Sequence, residues 1–280
     1  MTKKENKKNF WLEEFESFYV EGYGSKRFIN GITTTNMNFD VPLMKTCWLN
    51  QKGILRALLE IYFYKDKLLL VNIEGNIREI KDFFGDMIFP SDKVLLSDNF
   101  PIFRLQEVEK NQSWRKFEPK IFIKQDPKKY CLDNQIEFLK SRNLQEWKIW
   151  QAIPRLNSEI NGNNNPLELG LYDLVDFNKG CYLGQETMAR LKRISSLKEE
   201  IRVWSASVRN KDFELNDKKI YLNEHKKLIT GTITSYLFLG SEKVIGLAMM
   251  KKKYLNQLGS FFNEELISIK VEKSVGSVFF

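Results

Sequence analysis

Asn178-Lys179-Gly180-Cys181-Tyr182-Leu183-Gly184-Gln185-Glu186 decides how this chain is read. Residues 171–177, just ahead of it, are rich in β-branched and aromatic side chains and predict a strand. Residues 185–193 predict a helix: Met188 and Leu191 share one side, and Glu186 and Arg190 are spaced to pair at i, i+4. Cys181 is therefore expected in a strand-to-helix turn, with glycines at 180 and 184 on either side. Glycine at such positions opens backbone angles that other residues resist and lets another molecule approach the main chain. A helix N-terminus, Lys179 two residues away and partial exposure would each favour a thiolate at Cys181. The alternative is a small buried thiol in a glycine-rich turn, and physics alone leaves both open.

The block Lys-Gly-Cys-Tyr-x-Gly-Gln-Glu at residues 179–186 resembles the signature of the YgfZ-type folate-binding proteins, relatives of the glycine-cleavage aminomethyltransferase, the T-protein. Further stretches carry the resemblance across roughly residues 20–275. In Ser25-Lys26-Arg27-Phe28-Ile29-Asn30-Gly31-Ile32-Thr33-Thr34-Thr35-Asn36, the match to a short helix entering the folate cavity holds at Arg27, Phe28, Thr33, Thr34 and Asn36. Ile32 stands where those relatives usually carry glutamine. Residues 47–57 resemble a strand, a Lys52-Gly53 turn and a second strand. Pro166-Leu167-Glu168-Leu169-Gly170-Leu171 matches the family's Pro-x-Glu-x-x-Leu.

The resemblance implies an α+β fold of the GcvT-like folate-binding kind, with mixed α+β domains around a central cavity and a small C-terminal β-barrel. It divides the chain at residues 1–197 and 198–280, the first part as two interleaved subdomains with the second inserted around residues 55–130. It implies tetrahydrofolate as cofactor, Cys181 as the functional thiol, and Lys179, Tyr182, Gln185 and Glu186 as the residues shaping the site around it; the helix dipole and Arg190, at i+4, are expected to hold Glu186. Glu168 has two readings, a contact to the pterin, whose amino group and ring N–H a carboxylate accepts together, or a cap or ion pair on the surface. In residues 147–160, Lys148 stands where the relatives carry an arginine that faces folate, and Arg155 lies close by in sequence. Lysine keeps the charge but loses the planar two-pronged donor, so Lys148 and Arg155 remain alternatives.

The functional expectation is a folate-binding protein that supports iron–sulfur cluster assembly or repair, with cluster-dependent client proteins as partners and tRNA-modifying enzymes among those served. A true aminomethyltransferase, passing a one-carbon unit to tetrahydrofolate, is the first alternative, so catalysis itself stays undecided. The Gly-Glu-Asp-Gly pterin loop of those enzymes is missing from this chain. A non-catalytic adaptor for RNA or protein is the second, with direct tRNA contact a minor expectation, because the basic charge is spread rather than clustered.

Composition sets the outer bounds. A chain of 280 residues with 42% hydrophobic residues is globular in character and long enough for a sizeable core. Its 44 Lys and Arg against 36 Asp and Glu give +8, which suits an acidic ligand or partner as well as a plainly solvated surface. Cys47, Cys131 and Cys181 are scattered and odd in number, which argues against a disulfide framework and for a reducing, cytoplasmic setting. They are too few for an autonomous iron–sulfur cluster, and a lone His225 is too little for a histidine metal centre, so no metal site is expected. No apolar run reaches the roughly 20 residues that span a bilayer, and residues 1–9 lack the following apolar core of a secretory signal.

Local patterns complete the reading. Trp11, Leu12, Phe15, Phe18 and Tyr19 fall at helical spacing behind Asn9 and predict a helix. Residues 58–64 and 68–73 predict a hairpin, and residues 77–84 a helix. Residues 94–97, 103–108 and 120–124 predict strands. Asp133 is expected to cap a helix over 134–142, with Ile136 and Leu139 inward. Residues 201–208, 219–222, 228–236, 243–250 and 266–271 predict the strands of a small barrel or sandwich.

Overall fold

The computed structural model describes residues 8–38, 40–64, 66–194, 197–208, 218–223, 228–256, 261–263 and 267–279. His225 lies outside them, as do Lys65 of the expected hairpin turn and residue 266. An eight-stranded sheet and a closed six-stranded barrel carry the architecture.

The sheet has the order β2-β3-β4-β1-β6-β7, from β1 (Asn9–Glu21), β2 (Leu43–Leu49), β3 (Leu55–Phe63), β4 (Lys67–Gly75), β6 (Phe100–Val108) and β7 (Lys120–Ile123). Short β5 (Leu95–Leu96) and β8 (Glu137–Phe138) both add to β1. β1 is thus a central strand, antiparallel to β4 over residues 17–21 and to β6 over residues 9–17. This overturns the helix expected there. Central strands bury both faces and need not alternate, so apolar residues on each face can mimic helical spacing. Trp11 and Phe15 enter the core on one face, and Phe18 and Val20 that on the other.

Helices α1 (Ser25–Ile32) and α2 (Ile77–Met87) cover the second face through Ile29, Ile32, Ile80 and Phe84. Asn76 caps α2, its side-chain oxygen accepting from the N–H groups of Arg78 and Glu79. The helix expected over 134–142 is absent. Asp133 instead ends α3 (Lys128–Asp133), β8 runs parallel to β1, and α4 spans Ser141–Trp150. The carbonyl of Phe10 accepts the Leu139 N–H at 2.8 Å, so strand pairing claims the backbone that the helix would have used.

The barrel closes in the order β10-β11-β12-β9-β14-β13. Its strands are β9 (Glu199–Ser207), β10 (Lys219–Tyr221), β11 (Ile229–Phe238), β12 (Lys243–Lys251), β13 (Phe261–Phe262) and β14 (Ser268–Glu272). Along β12 the side chains alternate: Val244, Ala248 and Met250 fill the barrel, while Ile245, Leu247 and Met249 join the core that includes Trp11, Trp147 and Tyr182. One hydrophobic core therefore runs from the sheet through the residue 152–182 segment to the outside of the barrel. Among the described residues no helix is long and apolar enough to cross a membrane.

The strand expected over 171–177 does not form. Tyr172–Leu174 is a single 3-10 turn, and the segment is held by long-range bonds instead. The Leu174 carbonyl accepts the Thr34 and Thr35 hydroxyls at 2.6 and 2.9 Å, and the Asp176 N–H donates to the Thr34 carbonyl. Asp173 and Asp176, three apart, break the alternation a half-buried strand requires.

Candidate functional site

The loop leading to α5 (Gln185–Ile194) has no regular structure, so side chains must fix its shape. Lys179 does most of this. It is buried, and its Nζ donates to the carbonyls of Asn30, Thr33 and Thr35 at 2.6, 2.9 and 2.9 Å. Asn30 and Thr33 lie at the C-terminal end of α1, where unsatisfied carbonyls carry partial negative charge. Three bonds occupy all three ammonium hydrogens. Burial lowers the Lys179 pKa from 10.5 to about 8, Asp176 opposing the shift. The expected contact of Lys179 with the Cys181 thiolate is thereby replaced by a tether to the first sequence motif. Gln185 closes the loop, its Nε2 donating to the Lys179 carbonyl at 3.1 Å.

Two glycines interlock beside it. Gly184 has φ +81°, and a Cβ there would lie 2.7 Å from the Asn50 carbonyl oxygen and 2.9 Å from Gly53 Cα. Gly53, at φ +76°, in turn faces Thr187 and Met188 of α5. The Lys52-Gly53 turn and the glycine of the thiol loop are two halves of one close backbone contact.

Cys181 is exposed, whereas Cys47 and Cys131 are buried. The reading of Cys181 as a buried structural thiol therefore fails. Because α5 begins only at Gln185, the thiol sits in the loop and not on the first helical turn. Its neighbour Tyr182 turns inward with its hydroxyl unpartnered, and burial pushes its pKa well up. Glu186 and Arg190 are both exposed and form no ion pair with each other; two side chains free in water gain little from pairing.

A cleft of about 320 Å³ lies beside this loop, lined by Thr35, Asn36, Tyr172, Phe177, Asn178 and Lys192, with Asp173 and Asp176 also on its wall. The Tyr172 and Phe177 rings lie 5.4 Å apart at 32°. Lys192 Nζ stands 4.3 Å from the Phe177 ring centre. Arg115 Nε holds Asp173 at 2.8 Å, while Asp176 accepts only the Asn178 N–H, at 2.7 Å, among the described residues. Sequence reasoning missed this cleft because it took residues 171–177 as a strand; the 173/176 spacing of the two acids was the available signal.

The other expected site residues lie elsewhere. Lys148 is buried on α4, bonded to Glu13 and 4.9 Å from the Trp11 ring centre. Beside it burial raises the pKa of Glu74, with Lys148 and Arg155 opposing and Glu13 adding to the shift. Arg155 keeps one buried guanidinium nitrogen, Nη2, without a partner. Lys148 and Arg155 thus belong to one polar group with Glu13 and Glu74, two carboxylates the sequence did not single out. Glu168 stands apart near Lys198 and Glu199 at the start of the barrel; burial raises its pKa, and the Asn165 N–H donates to it at 3.3 Å. Glu159, also unforeseen, is fully buried and accepts from the Thr234 and Ser235 hydroxyls of β11, fastening the 155–160 turn to the barrel.

With this geometry in view, comparison with known proteins gives a fold. The structure is similar to glycine cleavage system aminomethyltransferase T from Bartonella henselae, with a TM-score of 0.71, 98% of this chain and 88% of that one covered, and 11% identity. The fold is therefore of the GcvT kind, mixed α+β with a C-terminal barrel. No family model matches the sequence. A putative chloroplastic transferase of Arabidopsis thaliana is 41% identical over 54 residues, 19% of this chain and 12% of that protein. An uncharacterized protein of Haemophilus influenzae is 26% identical over 166 residues, 56% of this chain and 59% of its own length.

Proposed function

We propose that this protein binds tetrahydrofolate in the cleft beside the thiol loop and, with Cys181, supports iron–sulfur cluster assembly or repair in client enzymes, those that modify tRNA included. The reading rests most heavily on one observation: Cys181 is exposed on a loop that Lys179, Gln185 and Gly184 hold rigid beside that cleft. The GcvT-type fold and the Lys-Gly-Cys-Tyr-x-Gly-Gln-Glu block support the folate part.

The cleft residues suit a reduced pterin chemically. A pterin is flat, and the Tyr172 and Phe177 rings supply faces for it. Its amino group and ring N–H need a carboxylate, and Asp176 has acceptor capacity left after the Asn178 bond. Folate ends in glutamate, an anion, and exposed Arg190 and Lys192 on α5 supply cations. About 320 Å³ is at the small end of ligand pockets, so the cleft would take the pterin end alone and leave the tail in solvent.

An aminomethyltransferase reaction is the second reading, favoured by the fold match alone. The two separate in cells lacking their own family member. Full rescue of cluster-dependent enzyme activity by this chain, lost in Cys181→Ala at equal protein level, supports the thiol reading. Full rescue by Cys181→Ala removes the thiol from the mechanism.

A further inference from the structure

A second cavity, of about 980 Å³ against about 320 Å³ for the cleft beside the thiol loop, lies against β1, β6 and β7 and shares no lining residue with that cleft. Leu12 on its wall alternates along β1 with Trp11, which faces the core holding Tyr182. Its floor is apolar, from Leu12, Phe103, Phe122 and Ile136. At its mouth, Leu132 and Phe138 are left 78% and 53% exposed, a costly arrangement in water unless something covers them.

The roof is the short α3, and both chain bends flanking it are strained. Lys124 and Gln135, which line the cavity, sit at φ 53° and 52°, a region non-glycine residues seldom occupy. Such a conformation persists where the surrounding fold over-determines it. α3 rests on the sheet through Cys131 and Tyr130, the Tyr130 ring 5.2 Å from that of Phe122, and the cavity opens beside that contact. Charge at the rim is uneven in use. Lys124, Lys128, Asp126 and Glu137 all line the cavity; Lys128 is paired with Asp126 at 3.8 Å, whereas the Lys124 ammonium makes no ion pair among the described residues, with Glu137 or any other acid.

An apolar floor, uncovered apolar side chains at the mouth and one free cation at the rim together define the ligand. We propose that this cavity binds a fatty carboxylic acid, its hydrocarbon chain on Leu12, Phe103, Phe122 and Ile136 and its carboxylate beside Lys124. A free cation at the edge of an apolar hole favours an anionic amphiphile over a neutral one, and the size admits a chain rather than a small acid. This site is independent of the folate reading and stands or falls without it.

Fluorescence titration of the full-length protein with cis-parinaric acid, followed by displacement with sodium dodecanoate and with dodecanol, tests it. Saturable fluorescence displaced by dodecanoate is expected. Leu132→Glu, at an exposed position with little packing to lose, puts a repelling charge at the mouth and should weaken binding about tenfold or more. Lys124→Gln should weaken dodecanoate about threefold to tenfold and leave dodecanol unchanged, since an exposed charge pair contributes modestly. Absence of saturable fluorescence overturns the proposal, as does binding that both variants leave unaltered. So does a dimer by light scattering that Leu132→Glu dissociates while fatty acid fails to bind, because the face is then an interface between two copies of this chain.

Discussion

Lys179 Nζ donates to the carbonyl of Thr33 at 2.9 Å across 146 residues of chain. That bond, with those to Asn30 and Thr35, joins the segment after α1 to the thiol loop. Replacing Lys179 by Met strands three carbonyls of which at least one is buried. Chemical denaturation should show a loss of about 2–4 kcal/mol, the range for buried acceptors left without a charged donor. Lys179→Arg should recover only part, since a planar fork cannot address three carbonyls set around a point. A loss below about 0.5 kcal/mol, the size of an ordinary surface change, would show the tether to be incidental.

Gly184→Ala should destabilise by about 2 kcal/mol or more, from positive φ and from the Cβ that would meet the Asn50 carbonyl at 2.7 Å. Gly162→Ala is the matched control, at φ +86° with nothing within 4 Å, and should cost only the strain, about 1 kcal/mol. Equal losses in the two variants would mean that the interlock with Gly53 contributes nothing.

The three thiols should differ sharply in reactivity. Brief treatment of the native protein with iodoacetamide, read by mass spectrometry, should modify Cys181 and spare Cys47 and Cys131. Burial pushes Cys47 from 9.0 to about 12, the Thr34 hydroxyl opposing. A folded-state value above the unfolded one means that the folded chain holds this proton more tightly. The associated stability is fully present below pH 9 and is lost as the pH rises towards 12. The stability gap between wild type and Cys47→Ala should therefore shrink across that window. A gap that stays constant would show that Cys47 ionises freely in the fold.

Arg104 and Glu60 form a bidentate pair with both bonds at 2.8 Å and both side chains fully buried. Burial alone would push the Glu60 carboxyl up, but the Arg104 charge and hydrogen bonds hold it below its ordinary value. Arg104→Met should cost about 3–5 kcal/mol by leaving a buried carboxylate unpaired. The double variant Arg104→Met/Glu60→Met should be closer to wild type than either single one, which denaturation of all four proteins will read. Additive losses would contradict coupling.

Much of this fold could be read in advance. The β3–β4 hairpin buries both faces, and its continuous apolar runs on either side of a charged turn marked it as two strands; α2 has helical periodicity, and the barrel strands are short apolar runs with turns between them. β1 defeated that logic because Trp11 and Phe15 on one face and Phe18 and Val20 on the other are buried against different layers. Residues 134–142 failed because pairing of Glu137 and Phe138 with β1 is a long-range event with no local signal. At the site, the thiol loop was legible from its glycines and its likeness to a known block. The destination of Lys179 was not, since its three acceptors lie about 145 residues upstream. Glu74 and Glu13 were hidden for the same reason: only the folded sheet brings them to Lys148.

Titration calorimetry of the purified protein with tetrahydrofolate bears most directly on the functional account. A saturable heat is expected, weakened in Asp176→Asn and Lys192→Ala and kept in Cys181→Ala, because Asp176 and Lys192 line the cleft and Cys181 does not. No heat and no thermal shift at about millimolar ligand would contradict the account, since any ligand held only by the folded state must raise its stability.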